Sequence, residues 1–520
     1  MRLPMNQVLK KILLPCFVCF TVLLTSNTVN TPLIQADGKT YANIRDFGAA
    51  GNGFTDDSDA IQRAINAVQS VAGTVIIPAG LFRMAKGVFV PKGVKIEGMI
   101  SATTGPWQNW LDAEGKGASP IFGGSAGALW ASAEYIRGSW ILADNSVGEI
   151  NGTPTFLLDG NTAISKLGFI NRSAAPVTST PNSSPPLIGV FSDKITQGAT
   201  SGITISDISL ANCYIGIAIV QGSDLNNYYI GKESTKSNVG KVVISNIMGS
   251  PLYKGIMIKG ISSAIEMNNL QFNYSCYEGN HIRMRMQMAV DVELSCAQNV
   301  SIVDMLTFGA NSGVLTKPAY SSRKVGLTAQ NLNLEGQKAI CLLSSGTYNI
   351  SNSYFFMVNF ANAAIDKDFR AILVKQDASS TSACTYNFTN CMVQNPIIFT
   401  DSNNDKWEDI SIDLQLSANA TAQFTNMQFY GMDQQGNSPV VQYIHQSGSN
   451  TKVLFKNAIF VTDMTNPLIQ TTGDALTPGE VVFENCRFPF KAMLPQGNSV
   501  VFNQCTRYNG TQNTFYEKAN

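Results

Sequence analysis

Charge is scarce in this chain. Of 520 residues only 14% are Asp, Glu, Lys or Arg, the 36 bases match the 36 acids, and there are 2 histidines. A balanced chain sets up no global field for nucleic acid or an anionic membrane. No CxxC pair and no Cys/His spacing for zinc occurs, so no structural metal site is expected and the metal content is left unknown. Disorder is excluded by an apolar content of 44%. Beyond residues 12–24 there is no second long apolar run, so the mature chain should carry no stable membrane span.

That single run, ILLPCFVCFTVLL, follows Lys10 and Lys11 and precedes the polar stretch TSNTVNT. A basic region ahead of a short apolar one is the pattern of a secretory leader over residues 1–36, cut after Ser26 or Ala36; an uncleaved anchor is the alternative. The protein is therefore expected to be secreted, periplasmic or at the cell surface. Ten cysteines then become eight, since Cys16 and Cys19 lie in the leader. Export permits disulfides without requiring them.

What the chain has in abundance is repetition. A small unit of alternating apolar and polar residues ending in Asn or Asp recurs as ITISD (203–207), VVISN (242–246), VSIVD (300–304) and YNISN (348–352). It continues as YNFTN (386–390), AQFTN (422–426), VLFKN (453–457), VVFEN (481–485) and the degenerate SVVFNQ (499–504). Second apolar pairs follow several copies, as in GIAIV (216–220), GIMIK (255–259) and GVLTK (313–317). One such unit cannot bury its own apolar side, whereas stacked units share a core. Asn at the bend tolerates a left-handed backbone, and its amide can bond to the amide one rung away. The fold predicted is all-β, a parallel β-helix; propeller blades would be longer and more regular, and a sandwich would not repeat over hundreds of residues. Cys486 and Cys505 follow the Asn or Gln of consecutive units, in FENC and FNQC. Rungs lie about 4.8 Å apart, so the pair can form a disulfide or stack as free thiols.

Residues 43–98 differ in kind. Ser58 or a neighbouring Asp can cap a helix with Ile61, Ile65 and Val68 on one face, Gly73 ends it, and TVIIP opens a strand. Such a helix would cover the open end of a stacked core. The residues Asp46-Phe47-Gly48-Ala49, Gly51-Asn52-Gly53, Thr55-Asp56-Asp57, Ala60-Ile61-Gln62, Ala64-Ile65 and Pro78-Ala79-Gly80 closely resemble the opening of the pectate lyase and polygalacturonase superfamily. The resemblance implies a right-handed parallel β-helix with an N-terminal capping helix. It divides the mature chain into a cap with first coils (37–98) and a β-helix with inserted loops (99–520). It also implies that Asp56 and Asp57 belong to the cap rather than to a catalytic pair. Superfamily members include polysaccharide lyases, glycoside hydrolases, epimerases and tailspikes, so the cap names no reaction. The Asn-Thr-Asp, Asp-Asp, Gly-His-Gly and Arg-Ile-Lys motifs of polygalacturonases and the DPHE of alginate epimerases are missing beyond the cap. GNHIR (279–283) and MIK (257–259) are the nearest approaches.

One stretch concentrates the rare charges: HIRMRMQMAVDVELSC, from residue 281. Its strict alternation predicts strands. Sixteen extended residues would span roughly 50 Å, so a bend near Met288–Val290 should split it in two. His281, Arg283, Arg285 and Gln287 would then share an outer face, and Asp291 and Glu293 another. Elimination from an acidic glycan needs a base and cations to hold developing charge. His281 fits the first role and the arginine forks the second. Tyr274 or Tyr277 could act as acid, and Lys259 and Asp304, 22 and 23 residues away, could neighbour His281 on adjoining rungs. Asp291 and Glu293 suit a glycosidase pair, or solvation, or calcium, the one cofactor left open. Trp107 and Trp110 could stack on sugar rings or simply pack a loop. His445, in QYIHQSG, reads as a surface residue. Ordinary cross-strand ion pairs explain the same charges.

Three functions follow: a lyase on an acidic (uronate-containing or sulfated) polysaccharide, a glycoside hydrolase using paired carboxylates, or a non-catalytic glycan-binding, tailspike-like protein. The partner expected is a polysaccharide, the assembly a monomer or homotrimer.

Overall fold

The computed structural model describes residues 33–36, 38–100, 138–171, 182–196, 202–211, 213–228, 239–273, 280–318, 324–357, 368–376, 383–394, 408–416, 419–430, 441–446, 451–461, 470–472, 480–489, 500–509 and 512–515. Strands of successive units pair in parallel and in register, so the chain winds into a right-handed parallel β-helix with three stacks of short strands. The first stack includes the Val242–Gly249 strand up to its bend, with Ile203, Val242, Ile265 and Val300 on successive rungs. The second stack follows the bend. The third, which carries the candidate site, holds Ile215–Val220, Lys254–Lys259, Val290–Ser295 and, on later rungs, residues 312–317, 338–342 and Asp368–Lys375. An antiparallel pair lies at each end, on one stack only: Leu33–Ala36 on Lys39–Asn43 in the first, and Gln512–Phe515 on Thr506–Asn509 in the second.

The bend between the first two stacks is where the repeated Asn sits. Asp207, Asn246, Asn269, Asp304, Asn331, Asn352, Asn390, Asn426, Asn457 and Asn485 all have φ between 50° and 58°, a left-handed conformation that Asn and Asp enter at least cost after glycine. Their side chains bond from rung to rung. Asn390 Nδ2 donates to Asn352 Oδ1 (3.3 Å), Asn426 to Asn390 (2.9 Å), Asn457 to Asn426 (3.0 Å) and Asn485 to Asn457 (2.8 Å). Inside, phenylalanines stack in the same register: Phe388, Phe424, Phe455, Phe483 and Phe502 have centroids 4.9–5.2 Å apart.

Helix α1, Ser58–Val68, buries Ala60, Ile61, Ala64, Ile65 and Val68 over the first coils, as the periodicity requires. Asp57 accepts from the Ala50 and Gly51 amides (2.6 and 3.1 Å), and Asp56 from those of Ser58 and Ala85 (3.1 Å each). Both acids are therefore built into the cap. Cys486 and Cys505 are free buried thiols rather than a disulfide. Each thiol donates to backbone carbonyls, Cys486 to Phe455 (3.3 Å) and Cys505 to Phe483 (3.4 Å), which fixes both on the core side of their rungs.

Asn426 both donates to and accepts from its ladder neighbours. Asn426→Ala should cost about 2–3 kcal/mol, from two lost hydrogen bonds and a strained left-handed backbone, and Asn426→Gly clearly less. Urea midpoints of the three proteins test this; equal midpoints for Ala and wild type would remove the ladder as a stabilising element.

Candidate functional site

The stretch that sequence alternation marks as two strands is a helix followed by one strand. Helix α2 spans Asn280–Met288, and Val290–Ser295 is a strand of the third stack. The reason lies in residue type. Arg283–Met288, RMRMQM, has good helix formers and no β-branched residue, whereas Val290 and Val292 favour a strand. Alternation of period two is thus overruled by propensity and by burial.

Burial centres on Arg285, which is fully enclosed. Its Nη1 donates to the Pro251 carbonyl at 2.5 Å, and Nη2 lies 3.1 and 3.2 Å from the two Asp291 oxygens. Asp291 is itself 0% exposed. It lies on the rung beside Gly255, where a Cβ would come 3.1 Å from the Phe272 ring and 2.5 Å from the Asp291 carbonyl. The pair therefore pins α2 to the coil from within. Burial pushes the Asp291 carboxyl up to about 6 despite the neighbouring guanidinium. Asn311 Nδ2 secures the end of the helix by donating to the Met286 carbonyl at 3.1 Å.

Glu293 points the other way, onto the outer face. Its Oε2 lies 3.0 Å from Lys254 Nζ and 3.2 Å from Lys317 Nζ. Burial opposes its ionisation, but the two ammonium groups together hold it below the usual carboxylate range. Lys254 is nearly buried and stands 4.3 Å from the Tyr253 ring, which stacks on Tyr214. Lys259 Nζ donates to the Leu225 carbonyl (2.8 Å) and lies 5.4 Å from the Tyr228 ring. Burial lowers the pKa of both lysines. Asp224, the other carboxylate affecting Lys259, is engaged in its own turn, accepting from the Asn226 and Asn227 amides (2.8 Å each).

The expected site is therefore divided. Asp291 and Arg285 are inside, Glu293 outside, so Asp291 and Glu293 form no catalytic pair. Asp304 belongs to the asparagine ladder, accepting from Asn331 Nδ2 at 2.9 Å, and does not approach the third stack's outer face. Gln287 is half-buried on α2. His281 and Arg283 are backbone members of α2, and their side chains lie outside the described residues, as do Tyr274, Tyr277, Trp107 and Trp110. Among the described residues no group of three or more His, Cys, Asp or Glu side chains is placed to hold a metal ion, and no helix is long and apolar enough to cross a membrane.

Register reveals what spacing along the chain did not. Lys259 aligns with Ser295 and Lys317; Thr316 aligns with Leu342 and Val374, which puts Lys375 in the same column. The column goes on through Gln415 and His445. The signal was present in the chain: GIMIK, GVLTK and AILVK each end an apolar run on lysine.

Comparisons with known proteins agree with the fold. A family described as rhamnogalacturonase A/epimerase, pectate lyase-like, matches residues 41–105. Alginate lyase 7 of Azotobacter vinelandii is 52% identical over 46 residues, 9% of this chain and 5% of that protein. Mannuronan C5-epimerase AlgE1 of the same organism is 50% identical over 46 residues, 9% of this chain and 3% of its own length. Such matches span a small fraction of those relatives. The structure of DFA-IIIase from Arthrobacter chlorophenolicus A6 without its lid, in complex with GF2, aligns with a TM-score of 0.50 at 11% identity, over 89% of this chain and 98% of that one.

If Arg285 and Asp291 lock α2, Arg285→Met alone should cost about 3–5 kcal/mol by leaving a buried carboxylate without its partner, and Asp291→Asn less, because burial already favours a neutral group there. The pair Arg285→Met/Asp291→Leu should cost less than the sum of the singles; strict additivity in guanidinium unfolding would deny the coupling. Because burial raises the folded pKa above the ordinary 3.8 of an aspartate, the carboxyl's contribution is fullest below that value. It should decline as pH rises through about 6, relative to Asp291→Asn.

The resemblance of the N-terminal segment to the pectate lyase and polygalacturonase superfamily holds, and the chain is folded as that superfamily's right-handed parallel β-helix.

Proposed function

We propose that this chain is an exported carbohydrate-active β-helix enzyme that depolymerises an acidic polysaccharide by β-elimination at the outer face of the third stack. The observation carrying this reading is the lysine column. Lys259, Lys317 and Lys375 stand on alternate rungs, roughly 10 Å apart at the strand spacing, with Lys254 beside them. Around Lys259, the ammonium groups of Lys254, Lys259 and Lys317 face Glu293 and Asp224 alone among the carboxylates that act on it. A regularly spaced cationic track suits a chain of carboxylates or sulfates.

Lys259 is the candidate base, because burial already lowers its pKa. Its neutral amine would take the proton beside the substrate carboxylate. The electron pair left behind would form the ring double bond as the glycosidic C–O bond breaks, and the departing oxygen would take a proton, with Tyr228 the candidate donor. Lys317, 44% exposed, and Lys375 would hold the carboxylate charge that builds up. Hydrolysis is less well supported. Glu293 and Asp413 share a column but lie four rungs apart, roughly 19 Å against the ~5–10 Å that glycosidases use. A non-catalytic glycan-binding role is favoured by one observation, the mutual pairing of Glu293 with Lys254 and Lys317.

Incubation with uronate-containing and sulfated polysaccharides, with and without calcium, should yield unsaturated ends seen by ultraviolet absorbance. Lys259→Ala should abolish them, and Lys317→Ala should lower kcat more than it raises KM. Activity should rise with pH through a pKa below the usual lysine value, because the base must be neutral. New reducing ends without unsaturation would favour hydrolysis; binding without cleavage would favour the third reading. Export rests on the basic and apolar leader, so N-terminal sequencing of the released protein should begin at Asn27, since a cut after Ala36 would remove the Leu33–Ala36 strand. Full-length chain held in membranes would overturn it.

A further inference from the structure

The second stack carries a different surface, away from the lysine column. In its strands Leu334, Phe355, Val393 and Phe429 face the core, so the residues on either side of each face outward. Two outward columns result. One runs Asn333, Tyr354, Met392, Gln428, Ile459; the other runs Glu335, Phe356, Gln394, Tyr430, Val461. Over these five rungs neither contains a lysine or arginine, although Arg487 continues the first column on the rung after Ile459, and aromatic and aliphatic groups here occupy the side of the sheet that would ordinarily be polar.

The arrangement is organised. The Tyr354 and Phe356 rings lie nearly parallel, 6.0 Å apart at 19°. Tyr354 donates its hydroxyl to Gln394 Oε1 on the next rung, and Tyr430 donates to Gln428 Oε1 at 3.0 Å. The second bond occupies the carbonyl side of an exposed carboxamide and turns its NH2 away. Glu335 sits at one end, its carboxyl raised by burial, with Asn333 hydrogen-bonded to it.

We propose that this strip binds a neutral oligosaccharide, separately from the acidic chain on the third stack. Rings half-buried in a sheet accept the apolar C–H face of a sugar, and amides beside them match its hydroxyls. A polyanion is disfavoured over these five rungs, which carry one carboxylate and no cation, Arg487 lying beyond their end. A second protein chain is also a poor fit. Five rungs by two columns measure roughly 19 Å by 7 Å, about 130 Å², against the ~800 Å² per partner of a stable interface. An extended sugar chain needs no more than such a ribbon.

Affinity electrophoresis of the full chain tests this, in gels holding xylan, glucomannan, mixed-linkage β-glucan or, for contrast, pectate. The protein should be retarded by at least one neutral polysaccharide. Tyr430→Ala should weaken that retardation by about tenfold, and Gln428→Ala, at an exposed position that cannot threaten folding, should weaken it measurably. Lys317→Ala should leave it intact while weakening retardation by pectate, so failure of the acidic-substrate reading and failure of this one are separable. No retardation by any neutral gel, or full retardation of both strip variants, overturns the proposal. So does a sedimentation result in which Tyr430→Ala converts an oligomer to a monomer, since the strip would then join chains.

Discussion

The left-handed asparagine at the bend between the first two stacks sets the frame for everything else. It turns the chain through a corner that other side chains would strain to make, and its amide then bonds to its counterpart above or below. A coil that gained or lost a residue inside the unit would break that bond and misalign every strand after it. Insertions are therefore confined to the connecting loops, and strands stay in register from Ile203 to Val500. The phenylalanine stack depends on this register, since rings meet face to face only when identical positions superimpose.

The same constraint makes the outer surface legible as columns. Residues far apart in the chain, such as Lys259 and Lys375, become neighbours along one axis, while Asp291 and Glu293, two apart, face opposite sides of the wall. The wall also separates two kinds of ion pair. Arg285 and Asp291 face each other inside, where removing one partner would leave a charge with no solvent. Glu293 meets Lys254 and Lys317 on the outside, where part of the charge reaches water and can respond to a ligand.

Much of the architecture was legible from the residues alone. The Asn-terminated units and the capping helix with Ile61, Ile65 and Val68 follow from local rules of backbone preference and periodicity, while the structural roles of Asp56 and Asp57 followed from the resemblance of the cap to its superfamily. The candidate site was less so. RMRMQM alternates as a strand does, yet its residues prefer a helix, and only the enclosure of Arg285 decides between them. Asp304 has the residue type of a ligand-binding acid but terminates a VSIVD unit, and that ending alone placed it in the ladder. The lysine column was missed because distance along the chain was measured from His281; distance between equivalent positions of successive units would have found it. Cys486 and Cys505 occupy stacked positions as expected, and stand there as free thiols.

The antiparallel strands at the two ends have a consequence for assembly. A stack of parallel, in-register rungs is also the architecture of a fibril, and an open end offers the next chain a template. Leu33–Ala36 and Gln512–Phe515 each run against the direction of the strand they cover. On the stack so covered, an incoming copy would meet reversed polarity. Growth is thus blocked on the stack that each strand covers, although the interior repeat would permit it.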